Sequence, residues 1–588
     1  MKQLLSGNEA AARGAWEAGL AYASAYPGTP STEILENLSD YKEVTAEWAP
    51  NEKAALESAI GASIGGVRAL AAMKHVGVNV AADPMFTFAY MGVNGGMVLI
   101  SADDPGMHSS QNEQDNRHYA RFAKIPMLEP SDSQECLEMM KEAFVISETY
   151  DTMVLYRMTT RVCHSRSLVV TGDRLTANPP AYRREREKYD AVPAISRILR
   201  VKLEGRIDRL RTYSENCAFN RIEDNGSQTG VITSGISYCY AKEIFGDSVS
   251  YLKLGFTHPL PMNLIRNFAG KVSTLYVIEE LEPFIEEQIR TAGIACVGKD
   301  KLPAMGEFDP DTVARSLLGR ENPTIAFDKA LLVDRPPTLC AGCPHRPFFY
   351  ELGKRKNTII CGDIGCYGLG GSAPLNAKDL CICMGSSFSV AHGMARAVET
   401  RRDERRTVAV MGDSTFFHTG INSLINILYN HSNVIAVILD NRVTAMTGHQ
   451  ENPGTGHKLQ GEVSDVMDIG TIARALGAKH VRQVNPMRLD EMRSAIDWAY
   501  GIQGEPVVLI TRWPCIFKKL SDEEKREFPQ EQRGCAVNEG KCIGCKLCVR
   551  TGCPALSYEA ADKKARVDAV QCTGCGVCVQ VCPKQAIA

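Results

Sequence analysis

Eight of the 21 cysteines lie between Lys541 and Ala588, in two runs. Cys542, Cys545, Cys548 and Cys553 form C-x2-C-x2-C-x4-C-P, and Cys572, Cys575, Cys578 and Cys582 form C-x2-C-x2-C-x3-C-P. Three thiolates on a short turn, followed by a remote cysteine before proline, hold four-iron cubes, and the remote cysteine of each run serves the other run's cube. The spacing therefore assigns one 4Fe-4S cluster to Cys542, Cys545, Cys548 and Cys582. The second falls to Cys572, Cys575, Cys578 and Cys553. Paired cysteines also hold tetrahedral zinc, but two tandem runs each ending in Cys-Pro suit cubes better than zinc knuckles. One structural cluster would need a single cube, whereas two make a wire. The first run has four residues before its last cysteine where three are usual, which alters the geometry expected around Cys553.

A second constellation sits upstream. The apolar run TVAVMGD ends at Gly412-Asp413-Ser414, and NVIAVILDN ends at Asp440-Asn441, with 25 residues between the two motifs. Both read as strand carboxyl ends, where open α/β sheets bind ligands. Asp413 and Asn441 there suit Mg2+ with octahedral places left for diphosphate oxygens, and Gly412 lets a phosphate approach. Near the amino terminus, Tyr26-Pro27-Gly28-Thr29-Pro30-Ser31 is a tight loop whose hydroxyls either bind a carboxylate or cap the helix beginning at Thr32 and Glu33. On local sequence alone capping is the better reading. Asn51-Glu52 opens a helix of small residues, and the polar stretch from Asp103 to Gln114 has the length and composition of an active-site loop.

These residues need elements to place them. Short apolar strands alternate with helical stretches from Leu5 to Val170, from Gly230 to about Arg320, and again after Pro336-Pro337, the pattern of parallel α/β layers. The charged stretch after the proline pair Pro179-Pro180 reads as a solvated helical linker, since its mixed signs suit an exposed face better than a binding patch. A net charge of −3 with 23% charged residues leaves no electrostatic footprint for nucleic acid or membrane. No apolar run approaches the roughly 20 residues that span a bilayer. Twenty-one cysteines without a secretory leader indicate a cytoplasmic protein that uses them for metal or redox chemistry.

Gly-Asp-Ser followed by Asp-Asn resembles the Gly-Asp-Gly and Asn-Asn pair of thiamine-diphosphate enzymes, with departures at the serine and at Asp440. The sequence Thr447-Gly448-His449-Gln450 after that turn, together with Tyr-Pro-x-Thr-Pro-Ser, resembles the 2-oxoacid:ferredoxin oxidoreductase branch. Over the whole chain the order of parts is similar to the α subunits of the indolepyruvate-type members. The fold this implies is α/β: two thiamine-diphosphate-binding-type parallel-sheet domains, an intervening transketolase C-terminal-like α/β domain, and a two-cluster ferredoxin-like α+β module. Its boundaries are expected at 1–177 for the pyrimidine-binding domain, 178–229 for a charged linker, 230–330 for the transketolase-like domain, 331–517 for the thiamine-diphosphate and Mg2+ domain, 518–534 for a second linker and 535–588 for the clusters.

The resemblance also implies roles. Glu52 hydrogen-bonds the pyrimidine of thiamine diphosphate, Asp413 and Asn441 ligate Mg2+ with the Val443 carbonyl, Gly412 and Ser414 border the cofactor, and Thr29 contacts the substrate carboxylate. The reaction implied is oxidative decarboxylation of an aryl-2-oxoacid with coenzyme A, its electrons passing to ferredoxin. A β partner of the γ type is expected, hence a hetero-oligomer. Cys340, Cys343, Cys366 and Cys515 resemble the ligands of a third 4Fe-4S cluster in that branch; as ordinary buried thiols they would need no such role, and both readings stand. Other functions compatible with the motifs are an oxidoreductase for a different 2-oxoacid of the pyruvate or phenylglyoxylate type, a non-oxidative decarboxylase with accessory clusters, and an electron-transfer scaffold.

Overall fold

Ala69–Lys74 and Met97–Asp103 are buried at every position, which is why they read as unbroken apolar runs. Strands of that kind need cover on both faces, as in parallel sheets. The computed structural model describes residues 1–176, 180–321, 323–333, 335–529 and 534–588. The chain divides into two compact units, Met1–Ala326 and Phe327–Ala588. Among the described residues no helix is long and apolar enough to cross a membrane.

In the first unit a seven-stranded sheet runs Phe256–His258, Met127–Leu128, Val154–Thr159, Met97–Asp103, Ala69–Lys74, Tyr22–Ala25, Thr45–Trp48. All neighbours are parallel except Phe256–His258, which pairs antiparallel with Met127–Leu128. That edge strand comes from the segment expected to form the transketolase-like domain. The same segment supplies three strands of a four-stranded sheet, Thr274–Ile278, Thr229–Ser234, Ser250–Leu254 and Arg221–Glu223 in spatial order. Leu56, Met73 and Leu99 share one apolar core with Ile232, Leu254 and Phe284, so the two layers are joined through their interiors.

The stretch expected as a solvated linker is a packed element. Asn178 and Pro179 at its start lie outside the described residues, but Pro193–Asn216 is a 24-residue helix with Leu199, Leu203, Ile207 and Leu210 buried. Their spacing of about four is one face of a helix, which the surrounding charges hid. Arg206, on the same face, donates to the carbonyls of Ala89, Tyr90 and Met91 and to Asp151 at 3.0–3.1 Å. It caps the carboxyl end of the helix Ala82–Met91 as a cation should. Arg221–Glu223, also within the expected linker, is a sheet strand.

The second unit holds a five-stranded, wholly parallel sheet in the order Thr358–Cys361, Arg406–Gly412, Val434–Asp440, Val507–Arg512, His480–Val484. Separate apolar cores cover its two faces. The second expected linker carries a short helix, Asp522–Glu527, with a Ser521–Glu524 capping box; its residues 530–533 lie outside the described residues. The cysteine-rich tail is closed by the hairpin Leu556–Glu559 with Lys564–Val567. Its two ends are joined by bonds from Ala536 N to Ala588 O and from Asn538 N to Ala586 O, each 2.7 Å.

Candidate active site

Parallel register sets Gly412 opposite Leu439 on adjacent strands, so the turns that follow bring Asp413 and Asp440 side by side at the carboxyl edge of the sheet. Both are buried. Asp413 accepts from Ser414 N at 2.8 Å, and Asp440 is held by Arg512 Nε at 2.7 Å. Burial first, and then the charge of Asp440, raise the Asp413 carboxyl above the usual carboxylate range. A cation would remove that penalty.

The oxygens for a cation are present. The Asn441 side-chain oxygen faces the Val443 carbonyl at 2.8 Å and Asp413 Oδ1 at 3.2 Å. With its nitrogen inward the amide donates to both; with its oxygen inward it completes a set of three acceptors, as a bound cation would require. Octahedral Mg2+ at about 2.1 Å from its ligands has adjacent oxygens about 3.0 Å apart, and the two observed separations bracket that edge. Asp413, Asn441 with its oxygen turned inward and the Val443 carbonyl would fit an octahedral divalent cation. Ser414 accepts from Thr444 Oγ1 at 3.0 Å, and Thr447 and Gln450 are tied to each other at 2.5 and 3.0 Å, so the polar turn beside the three oxygens is braced. Gly412 also has a packing reason within the fold. A Cβ there would lie 2.7 Å from Tyr367 Cε1, so it is the tyrosine ring that excludes a side chain.

The four upstream cysteines share one neighbourhood. Cys343, Cys366 and Cys515 each lie within electrostatic reach of Cys340, and Cys366 also of Cys515. Burial pushes the Cys343 thiol up to about 12 and that of Cys366 to about 11, so only bound metal would keep them as thiolates. In the tail, one cavity is lined by Cys542, Cys545, Cys548 and Cys582. A second is lined by Cys553, Cys572, Cys575 and Cys578, with Cys535, Cys343 and Arg346 on its wall. The backbone N–H of Ala586 points at Cys582 Sγ at 3.2 Å and that of Cys535 at Cys572 Sγ at 3.4 Å, contacts of the kind that tune iron–sulfur potentials.

In the first unit, Glu52 opens the helix Glu52–Ile64, with Asn51 accepting from Ala54 N at 2.9 Å as its cap. Glu52 is buried and packs where Gly77 has no side chain: a Cβ at Gly77 would lie 2.7 Å from Glu52 Cγ. The expected capping is not made: Ser31, at the cap position of the helix Thr32–Ser39, forms no side-chain capping bond, and the hydroxyls bond within the loop. Thr32 Oγ1 accepts from Gly28 N at 3.0 Å and Ser31 Oγ donates to Gly28 O at 2.8 Å, while Thr29 between them is half-buried.

Residues 13–210 match the family described as pyruvate flavodoxin/ferredoxin oxidoreductase, thiamine diP-binding; residues 363–511 match the C-terminal TPP-binding domain of thiamine pyrophosphate enzymes, and residues 541–586 a 4Fe-4S dicluster domain. Indolepyruvate oxidoreductase subunit IorA of Pyrococcus horikoshii is 41% identical over 99% of this chain and 96% of its own length. The chain belongs to the IorA family. The IorA of Methanothermobacter marburgensis is likewise 41% identical, again over 99% of this chain and 96% of its own. Among solved structures, a 2-oxoglutarate:ferredoxin oxidoreductase from Magnetococcus marinus aligns with TM-score 0.43 and 15% identity over 54% of this chain and 65% of that one. As an IorA chain the protein is a thiamine-diphosphate 2-oxoacid oxidoreductase subunit with a 4Fe-4S dicluster domain.

Two residues of this IorA chain escaped the sequence reading. Lys74 ends the strand Ala69–Lys74, is buried, and donates Nζ to the Ser109 carbonyl at 2.5 Å. Burial lowers its pKa while Asp104 opposes the shift. Its Cβ lies 3.2 Å from the place a Gly28 Cβ would take, so it ties the loop of Thr29 to the polar loop after Met97–Asp103. A lysine closing an otherwise apolar strand was the available signal. Arg117 is fully buried between Asp115 and Glu279, both at 2.5 Å, and nothing local in the sequence distinguishes it from the exposed arginines.

Proposed function

We propose that this chain, with a β partner of the γ type, carries out the oxidative decarboxylation of an aryl-2-oxoacid, indolepyruvate or another arylpyruvate. Coenzyme A takes the acyl group and ferredoxin the electrons. Asp413, Asn441 and the Val443 carbonyl hold Mg2+, with Gly412 and Ser414 beside the diphosphate. Thiamine diphosphate, when bound, supplies the electron sink for loss of CO2. Glu52 holds a proton at the pyrimidine of that cofactor, a general acid–base role, and the Thr29 hydroxyl binds the substrate carboxylate. The tail tetrads hold two 4Fe-4S clusters, and Cys340, Cys343, Cys366 and Cys515 hold a third.

The observation that carries this reading is continuity within the second unit. The three-oxygen site adjoins the upstream cysteines, since Cys515 N donates to the Asn441 carbonyl at 2.9 Å, and Cys343 of that group lines the second tail cavity. A non-oxidative decarboxylase has no use for such a row. The aryl preference rests on the name of the relatives. Anaerobic turnover of indolepyruvate, phenylpyruvate and pyruvate by the assembled subunits, with coenzyme A and ferredoxin, tests the proposal. Ferredoxin reduction fastest with indolepyruvate is expected. Free aldehyde without ferredoxin reduction would make the protein a decarboxylase, and preference for pyruvate would remove the aryl assignment.

A further inference from the structure

Arg346 is a buried cation without a carboxylate partner. It is 3% exposed and stands in the first turn of the helix His345–Leu352. Nη1 donates to the Thr551 carbonyl at 3.1 Å, and Nη2 donates to the carbonyls of Leu339 and Cys340, the latter at 2.9 Å. Nε has no hydrogen-bond partner. No ion pair engages the guanidinium among the described residues. Burial weighs on it first, and the groups whose charge would offset that are Cys553, Cys343, Cys575 and Cys340, each a thiolate only when it binds metal. A buried charge is normally paired, because desolvation in an apolar interior is costly. Carbonyl oxygens alone leave this one with its charge uncompensated.

The missing anion has a place. Arg346 lines the second tail cavity together with Cys553, Cys572, Cys575 and Cys578. A cube with four thiolates is net negative and gains one more negative charge on reduction, and a fixed neighbouring cation favours that gain. The irregular spacing of the first cysteine run belongs to the same arrangement. Val549–Thr551 form a 3-10 turn closed by Gly552 at φ 71°, which presents the Thr551 carbonyl to Arg346. A Cβ on Gly552 would lie 3.2 Å from Arg346 Nη1 and 3.0 Å from Pro374 Cδ. The extra residue between Cys548 and Cys553 therefore lies in the turn that meets the arginine.

We infer that Arg346 is the counter-cation of the tail cluster on Cys553, Cys572, Cys575 and Cys578, and makes it the more easily reduced of the two tail clusters. The other cavity is bordered by Lys546 and Lys584, both exposed, with Lys564, only half-buried, bonded to the Cys542 carbonyl. Water and salt screen such charges, whereas a buried one acts through a low dielectric. Reduction adds one electron, supplied by oxidation of the 2-oxoacid; no bond to Arg346 forms and its proton stays in place. Electrons entering by way of Cys343 thus settle first on the cluster beside Arg346, and the cluster on Cys542, Cys545, Cys548 and Cys582 passes them outward.

The inference rests on the proposal that the cavity holds a four-iron cluster, which iron content and the low-temperature EPR signal of the reduced unaltered enzyme test separately. Failure there removes the proposal and not only the role of Arg346. The test of Arg346 itself is a potentiometric EPR titration of the assembled enzyme carrying Arg346→Gln or Arg346→Lys. Glutamine keeps donors for the carbonyls without the charge, and lysine keeps the charge without the planar fork. In the glutamine variant one cluster becomes harder to reduce by about tenfold or more, about 59 mV for one electron, while the lysine variant stays near the unaltered value. Full iron with unchanged midpoints in the glutamine variant overturns the inference, as do equal shifts in both variants. Loss of iron from both would make Arg346 a structural clasp and overturn it as well.

Discussion

The backbone N–H of Cys515 donates to the carbonyl of Asn441 over 2.9 Å. Two residues earlier, Trp513 N donates to Asp440 O at 3.1 Å, and Arg512 Nε reaches the Asp440 carboxylate at 2.7 Å. The turns after Val434–Asp440 and Val507–Arg512 are therefore one braced piece at the edge of the sheet. One turn carries a proposed metal ligand and the other a proposed cluster ligand, so the sheet register sets their separation. The oxygen site and the first cysteine of the row are placed by the same hydrogen bonds.

Asp413→Ala is expected to abolish Mg2+-dependent binding of thiamine diphosphate while leaving the visible iron–sulfur absorbance of the tail. The carboxylate supplies the one full negative charge among the three gathered oxygens, and hard cations depend on such charge. Cofactor titration followed by quenching of protein fluorescence reads the affinity. Unchanged affinity would refute the ligand role, and absorbance lost together with affinity would mark Asp413 as a folding residue.

Glu52→Gln should bind the cofactor nearly as well as the unaltered chain, because the glutamine fits the same space beside Gly77. Exchange of the cofactor C2 proton, followed by NMR in D2O, should slow by about 10^2 to 10^4, the usual worth of a positioned acid–base group. An unaltered exchange rate would exclude Glu52 from that role.

The upstream cysteines give an iron count. Three four-iron clusters bring about 12 irons per chain and two bring about 8. Cys343→Ala should lower an anaerobic iron assay by about four from the higher figure. Equal iron in the two proteins would leave Cys340, Cys343, Cys366 and Cys515 as core thiols.

Much of this arrangement was legible because the chemistry is local in sequence. The tail cysteines, the strand-ending Asp413 and Asn441, and the capped helix at Glu52 each announce themselves within a few residues. What was hidden depends on distant partners. The helix Pro193–Asn216 looked solvated because its charged residues outnumber the four leucine and isoleucine positions that pack. The packing of Gly412 against Tyr367, whose ring leaves no room for a side chain, is invisible locally because the tyrosine lies 45 positions upstream. Arg346 carries no local signal at all: its partners are the carbonyls of Leu339, Cys340 and Thr551, and only the folded chain brings them together.

Glu280 supplies a test that involves no cofactor. Its carboxyl is buried in the first unit and accepts one hydrogen bond, from Phe308 N at 2.9 Å. Burial, with a smaller contribution from Glu307, lifts its pKa to about 7, although the Phe308 N–H, Arg157 and Arg117 pull the other way. In the unfolded chain it titrates near the ordinary value of about 4.3. The folded state therefore holds a proton that the unfolded state releases, and the associated stability is complete below about pH 4.3 and lost as pH rises through about 7. Fully ionised, the buried carboxylate costs on the order of 3 kcal/mol. Glu280→Gln keeps an oxygen for the Phe308 N–H and carries no charge at any pH. Its unfolding midpoint should exceed that of the unaltered chain by a margin that widens from about pH 5 to about pH 8.5, read by denaturant titration at each pH. A margin that is constant or narrows would show that Glu280 is ionised at little cost, and that the ion network of Arg117 and Arg157 extends to it.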